Sequence, residues 1–395
     1  MSRFSQADVV VLGGGIIGTN IALALAERAA GRVVLLEKSA LGAGSTGKSG
    51  AILRQHYGNP VTVAMARESL HFYADFERRY GDDIGFRQPG MVFFARAEER
   101  EALEANVALQ RELGVTAQVL GAAELRGLFP GAHIPDELVG AWEPEAAYVD
   151  PLATVRAVGR AAEACGVELR LGTRVEELLI SGGEAYGVRL AGGDWIEAPT
   201  VVNAGGPWAR RLLGPLGDEL PLRAVRPQQA FFEPSPAVGE ALPIVADLQL
   251  DLYWKPEPKG WTRVGRMSFD ADAEVPDPDR YDEGVDGGFL AACRDGVAER
   301  QPGFGEAVSW GGCGALYTVT PDAHPLIGEV PGVRGLFLAS GFSGHGFKLG
   351  PSVGAGVAGL VAGDVRPPFD PDFFAVDRVR RGRPIRPRYA YGILG

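Results

Sequence analysis

Val9-Val10-Val11-Leu12-Gly13-Gly14-Gly15-Ile16-Ile17-Gly18 is the stretch from which the rest of the chain can be read. Its first four residues are apolar without a break, the character of a parallel strand buried on both faces. Gly13, Gly15 and Gly18 then stand in the spacing G-x-G-x-x-G. Ile21, Leu23, Ala24, Leu25 and Ala26 continue as a helix apolar nearly all round, and Gly31 follows it. Val33 to Leu36 form a second apolar run with Glu37 at its C-terminal end. Together these predict a βαβ unit built to receive a dinucleotide. Gly13 permits the tight turn, Gly15 lets the backbone approach a pyrophosphate, and Gly18 lets helix and strand pack closely. The helix N-terminus, with Ile17 in its first turn, offers free N–H groups and the positive end of its dipole to phosphate. Glu37 suits ribose hydroxyls and disfavours a 2′-phosphate. An S-adenosylmethionine site and a glycine-rich turn without a ligand are the other readings of the same pattern.

Composition narrows the class. The chain has 395 residues, enough for two domains or one large composite. Hydrophobic residues make up 46% and charged residues 23%, the balance of a globular protein. Glycine, at 56 residues, is about twice as common as usual, and no fixed repeat accounts for it. The net charge of −11 argues against a nucleic-acid partner. Cys165, Cys293 and Cys313 form no metal spacing or even-numbered framework, so neither a metal site nor disulfides are expected, and a reducing cytoplasm is. No run is apolar for long enough to cross a membrane.

Along the chain, Asn59-Pro60 and Asp150-Pro151 both read as an N-cap followed by proline at the first helical position. Residues 97–113 predict an exposed helix with Leu103, Val107 and Leu113 as its apolar stripe. Strands are expected at 167–171, 174–180 and 186–190, at Val201-Val202, and at Leu336 to Ala339. A helix of small residues is expected from about Ser352 to Val361. Dinucleotide-type segments at both ends of the chain and a different character between them suggest a discontinuous cofactor domain. A second glycine/serine loop, Gly42-Ala43-Gly44-Ser45-Thr46-Gly47, follows Glu37 closely. Such a loop can wrap an extended cofactor with N–H and hydroxyl donors, which favours FAD over NAD.

These blocks, taken with Gly44-Ser45-Thr46-Gly47-Lys48-Ser49-Gly50-Ala51-Ile52-Leu53-Arg54, Val201 to Trp208, Tyr317-Thr318-Val319-Thr320-Pro321-Asp322 and Gly341-Phe342-Ser343-Gly344-His345-Gly346-Phe347-Lys348, resemble the D-amino acid oxidase superfamily of FAD enzymes. The likeness is nearest to its sarcosine oxidase and dimethylglycine dehydrogenase branch. It implies an α/β fold: a glutathione-reductase-like FAD/NAD(P)-binding domain with a discontinuous mixed-sheet α+β substrate domain. The boundaries expected are 1–85, 146–225 and 309–370 for the first, 86–145 and 226–308 for the second, and 371–395 for a tail lying on a surface. The activity implied is oxidation of a C–N bond in a small secondary or N-methylated amino acid to an imine. Primary amine oxidation, an NAD-dependent dehydrogenase and a non-catalytic flavin-binding subunit are the alternatives. Oxygen or another acceptor would take the electrons, and the chain could be a monomer, a homo-oligomer or a subunit of a flavin complex.

The resemblance also implies roles. Arg54 and Lys348 would hold the substrate carboxylate, in keeping with the strength of charge-assisted pairing. Tyr253 would line the substrate pocket, with Trp254 completing an aromatic cage. His345 would stand beside the flavin, and Arg263 aligns loosely with a lysine near flavin N5, for which Lys255 or Lys259 could substitute. Cofactor contacts are implied for Gly13, Gly15, Ile17, Gly18, Glu37, Lys38, Gly44, Ser45, Thr46, Lys48, Ser49 and Gly50, and for Val175, Ala204, Gly205 and Trp208. The late block adds Gly341, Gly344, His345, Gly346, Phe347 and Lys348. Relatives attach FAD covalently at a histidine where this chain has Lys48, or at a cysteine where it has Ala315, with Cys313 two residues too early. Non-covalent FAD is therefore expected.

Overall fold

The computed structural model describes residues 4–235, 238–239, 242–268, 274–364, 369–386 and 388–389. Its first sheet has six strands in the order Leu326–Glu329, Leu336–Ser340, Thr200–Asn203, Val9–Leu12, Val33–Leu36, Glu168–Arg170. All neighbours are parallel except the first pair. The unbroken apolar runs of these strands are explained by burial on both faces. Val9, Val11, Val33 and Leu35 share a core with Ile21, Val155 and Val353 of the helices Ile16–Glu27, Pro151–Ala164 and Gly346–Ala362. Val10, Leu12, Val34 and Leu36 pack instead with Leu178, Val188 and Ile196 of a four-stranded sheet on the other side.

Local capping sets the helix starts. The side chain of Asn59 accepts from Thr62 N–H at 2.8 Å, opening Pro60–Ala74, and Asp150 accepts from Ala153 N–H at 2.7 Å. The late helix starts at Gly346, one and a half turns before the expected Ser352, and runs through Pro351. A proline there deprives the Phe347 carbonyl of its usual N–H partner. The Tyr73 hydroxyl donates to that carbonyl at 2.8 Å, so the turn survives.

A second sheet of eight strands runs Ser309–Gly314, Gln228–Phe232, Thr262–Arg266, Leu252–Pro256, Ile244–Asp247, Met91–Ala95, Val139–Glu143, Gln118–Leu120. Ser309–Gly314, expected with the late cofactor segment, forms its edge by pairing with Gln228–Phe232. Side chains alternate across such a sheet. Val92, Phe94, Val245, Trp254, Val264 and Phe232 join one core with Val297 and Phe304. Registers place Glu143, Phe93, Tyr253, Lys255 and Arg263 together on the opposite face.

Part of the segment expected as a tail is more deeply built in than a surface strand of chain. Phe369, Phe374 and Val376 are buried. Arg378, only 1% exposed, pairs with Asp322 at 2.7 Å and donates to the carbonyls of Pro325 and His324. Burial opposes the Asp322 charge, but the Arg378 guanidinium outweighs it and holds the carboxyl below its ordinary value. Removing one partner of a buried pair leaves the other charge uncompensated. Arg378→Ala should therefore cost about 3–5 kcal/mol of stability. Denaturant titration measures it; a loss below about 1 kcal/mol would put this pair with ordinary surface ion pairs.

Candidate functional site

A cavity of about 870 Å³ lies where the strands Val9–Leu12, Val33–Leu36 and Thr200–Asn203 end, lined by Leu12, Leu36 and Ala204. Ligands of open α/β sheets lie in this place, beyond the carboxyl ends of the strands. The first loop contributes Gly13, Gly15 and Ile17; the second strand, Glu37 and Lys38; the next loop, Gly44, Ser45, Thr46 and Ser49. Val175, Ala204, Gly205 and Trp208 line it from the middle of the chain, and Gly341, Gly344, Gly346 and Phe347 from the late block.

Local chemistry holds these loops in place. Gly13 has φ +105°, a backbone conformation L side chains rarely adopt. A Cβ at Gly18 would come 1.9 Å from the Gly13 carbonyl oxygen. Gly18 therefore serves the helix–strand contact, and it is not among the cavity-lining residues. Gly15 has an ordinary extended backbone, φ −82° and ψ 177°, and a Cβ there would meet only Thr46 Oγ1, at 3.1 Å. Thr46 Oγ1 in turn accepts from Ile16 N–H at 3.0 Å, tying the second glycine loop to the helix N-terminus. Glu37 accepts from the N–H groups of Gly14 and Ser39, each at 2.8 Å, which fixes its carboxylate at the cavity wall.

Past Ser49 the chain reaches a second group of residues. Gly50 packs against Arg263 and Tyr253: a Cβ there would lie 3.6 Å from Arg263 Cδ and 3.8 Å from Tyr253 Oη. Arg263 donates to the Ser49 carbonyl at 3.2 Å and to Glu257 at 2.5 Å. Of the three cations considered for the flavin N5 position, Arg263 is the one against the 48–50 backbone. Lys255 pairs with Glu257 at 3.0 Å and lies 3.7 Å from the Tyr148 ring centroid, its pKa lowered to about 8, chiefly by burial. Lys259 is exposed on a turn. Trp254 points into the opposite core, so it forms no cage with Tyr253. Lys48 is not among the cavity-lining residues; it donates to Tyr281 and Glu283, each at 2.7 Å, and to the Gly314 carbonyl at 3.1 Å.

Arg54 and Lys348, from opposite ends of the chain, come close enough for the charge of one to act on the other. Burial pushes the Lys348 pKa well below its ordinary value, and Arg54 adds to that. Arg54 lies 4.1 Å from the Tyr57 ring centroid and 3.5 Å from His345 Nδ1, and it donates to the His56 carbonyl. His345 is held neutral by burial first and by Arg54 and Lys348 next. Its Nδ1 lies 3.1 Å from the Tyr57 hydroxyl, within hydrogen-bonding reach.

Four residues of this site escaped the sequence reading: Tyr57, Gln55, Glu143 and Asp279. The Glu143 carboxyl is fully buried, bonded to Gln55 N–H, and its Oε2 has no hydrogen-bond partner. Burial pushes its pKa up to about 7, against the Gln55 hydrogen bond and the Arg54 charge. Among the described residues no cluster of metal-ligating side chains occurs, and no helix is long and apolar enough to cross a membrane.

A family model described as FAD dependent oxidoreductase matches residues 8–360. Peroxisomal sarcosine oxidase of Homo sapiens is 30% identical over 88% of this chain and 90% of its own length. Mitochondrial sarcosine dehydrogenase of Mus musculus is 27% identical over 98% of this chain, which spans only 41% of that longer protein. L-proline dehydrogenase from P. horikoshii has a structure similar to this one at a TM-score of 0.87, with 27% identity over 96% of this chain and 99% of that one. The cavity fits the cofactor that the family model names. It is lined from Glu37 to Phe347, with glycines at Gly13 and Gly15, a helix N-terminus, and the Glu37 carboxylate at its wall.

Two outcomes follow from this geometry. Gly15→Val should fold, because its backbone angles suit any residue, yet should purify without visible flavin absorbance. A normally coloured variant would move the pyrophosphate elsewhere. Glu143 affects stability with a definite sign. Between its ordinary 4.5 and about 7 the folded state binds more protons than the unfolded one, so its contribution falls as pH rises through that window. Glu143→Gln should gain stability relative to the parent across the same window, by on the order of 3 kcal/mol at its upper end. Thermal melts at several pH values test this; a difference that does not change with pH would contradict it.

Proposed function

The chain belongs to the family of FAD-dependent oxidoreductases, and from that premise we propose that it oxidises the C–N bond of a small secondary or N-methylated amino acid to an imine. One observation carries this reading: Arg54 and Lys348 lie near enough for their charges to interact, beside Phe347 of the cavity wall, where a carboxylate would balance them. The relatives' names point the same way, since sarcosine and proline are both secondary amino acids.

When bound, FAD supplies the acceptor for the hydride leaving the carbon next to nitrogen. The protein's part is binding, orientation and the control of charge. Arg54 presents a planar fork to the substrate carboxylate, and Lys348, whose proton burial and Arg54 loosen, regains its charge when that carboxylate binds beside it. Tyr253, above Gly50, and Tyr317, which lines the cavity, close the site around the substrate. The burial and neighbouring cations that depress Lys348 and His345 act equally on a substrate ammonium. The amine is thereby favoured in its uncharged form, which hydride loss requires, and His345 need not act as a base. We read the FAD as held without a covalent bond, because Lys48 is engaged with Tyr281 and Glu283, Ala315 is buried and inert, and Cys313 sits in a strand paired to Gln229. Free Cys165, Cys293 and Cys313 support a reducing, cytoplasmic setting.

The experiment is anaerobic flavin reduction against concentration of sarcosine, proline and glycine. Charge-assisted hydrogen bonds contribute roughly 1.5–3 kcal/mol each. Arg54→Met should then weaken substrate binding by about one to two powers of ten, with FAD content unchanged. Lys348→Met should act in the same direction but less. Unaltered affinity in both variants would remove the carboxylate from the site, and the amino-acid substrate with it.

A further inference from the structure

Donors from three cofactor-lining segments converge on one carboxylate that belongs to none of them. Asp279 accepts from Lys38 Nζ at 2.5 Å, from Trp208 Nε1 at 2.8 Å and from Arg211 at 2.5 Å, with Arg174 at 3.6 Å. Lys38 directly follows Glu37, Arg174 directly precedes Val175, and Trp208 and Arg211 follow Ala204-Gly205. The Lys38 ammonium also lies 3.7 Å from the Trp208 ring centroid. Two residues on from Asp279, Tyr281 takes a hydrogen bond from Lys48, and Glu283 takes a second, each at 2.7 Å. Pro278, Asp279, Tyr281 and Glu283 all line the flavin cavity. The segment enters from Glu274, bridged to Val225, and leaves into the helix Gly287–Arg300. It is thus fastened at both ends and again, by side chains, along the cavity.

We propose that residues 277–283 are a strap that retains FAD, with Asp279 as a positioning residue that holds the Lys38, Arg174 and Trp208–Arg211 segments around the adenosine end. The end is identified by Glu37, whose place at the second strand is that of a ribose ligand. Without the Asp279 carboxylate, Lys38, Arg174 and Arg211 would stand together with only Asp277, 3.4 Å from Arg211, as counter-charge, and the loops bearing them would repel. Burial works against the Asp279 charge, but the hydrogen bonds from Lys38, Arg211 and Trp208 outweigh it and keep the group ionised. The partners are partly exposed, so the latch is open to screening by salt.

This inference rests on FAD as the cofactor and on its non-covalent attachment, and is independent of the substrate. The test is the release of flavin from holoprotein on dilution, followed by the recovery of flavin fluorescence. A first measurement precipitates the protein with acid: flavin freed into solution is the expected result. Flavin left in the pellet would overturn the non-covalent premise, a failure separate from that of the strap. Asp279→Asn should release FAD roughly tenfold faster at low salt, equivalent to about 1.4 kcal/mol. High salt should accelerate release from the wild type but hardly from Asp279→Asn, and Asp279→Glu should recover part of the retention. If Asp279→Asn purifies empty, FAD titration of the apoprotein should show the same loss as weaker affinity. Equal release rates for wild type and Asp279→Asn would overturn the strap. So would an equal loss of apoprotein melting temperature, which would make Asp279 a general structural residue.

Discussion

The first helix, Ile16–Glu27, packs closely against the last long one, Gly346–Ala362, and the site depends on that contact. A Cβ at Gly354 would come 2.5 Å from the Asn20 carbonyl oxygen, and one at Gly350 would come 3.1 Å from Asn20 Nδ2. The helix Pro60–Ala74 is tied to the same partner through Ser69 and Ser352 at 2.9 Å and through the Tyr73 hydroxyl. This contact brings residues from the two ends of the chain into one site. His345 caps the last helix and Lys348 lies in its first turn, while Arg54 follows the loop anchored to the first helix by Thr46. Side chains at Gly350 or Gly354 would drive the helices apart, and reactive geometry is sensitive to displacements of about 1 Å.

The second sheet supplies the other wall by a simple alternation. One face of its strands is an ordinary apolar core around Trp254 and Phe232. The opposite face carries Glu143, Tyr253, Lys255 and Arg263 where water is largely excluded. Burial there acts on acids and bases in opposite directions: Glu143 is pushed up to about 7 and Lys255 down to about 8. Both shifts move toward neutrality, so desolvation weakens the hold of each charge on this wall. Glu257 supplies a counter-charge to this wall: burial opposes its charge, but Arg263 and Lys255 outweigh that and hold its carboxyl below the ordinary value.

What the sequence made legible was local or carried by whole motifs. The first βαβ unit, the caps at Asn59 and Asp150 and the glycine loops each announce themselves within a few residues. Other features depend on partners far away in the chain. Pro351 ought to stop a helix, and only Tyr73, from the opposite end of the chain, explains why it does not. The run Leu252-Tyr253-Trp254-Lys255 shows that Tyr253 and Trp254 face opposite ways, but not which faces the cofactor. Glu143 reads as the polar end of a strand until the fold buries it. Asp279 sits in a Pro- and Asp-rich loop whose composition suggests only solvent, and its cations lie in segments with signals of their own. The burial of Arg378 was hidden for a related reason: arginine-rich sequence reads as exposed unless a buried partner such as Asp322 is known.

The order of strands in the first sheet has a consequence for how the protein is made. Val9–Leu12 leaves the ribosome shortly before Val33–Leu36, but it sits between that strand and Thr200–Asn203. Its second neighbour emerges nearly two hundred residues later, which at 5–20 residues per second is roughly 10–40 s. Leu336–Ser340, which covers the far edge of Thr200–Asn203, comes later still. Throughout that interval an apolar strand with an unpaired edge is exposed to other nascent chains, the condition that invites intermolecular pairing. The discontinuity that brings distant segments together at the flavin therefore has a cost during synthesis: an apolar strand edge that stays open until its second neighbour arrives.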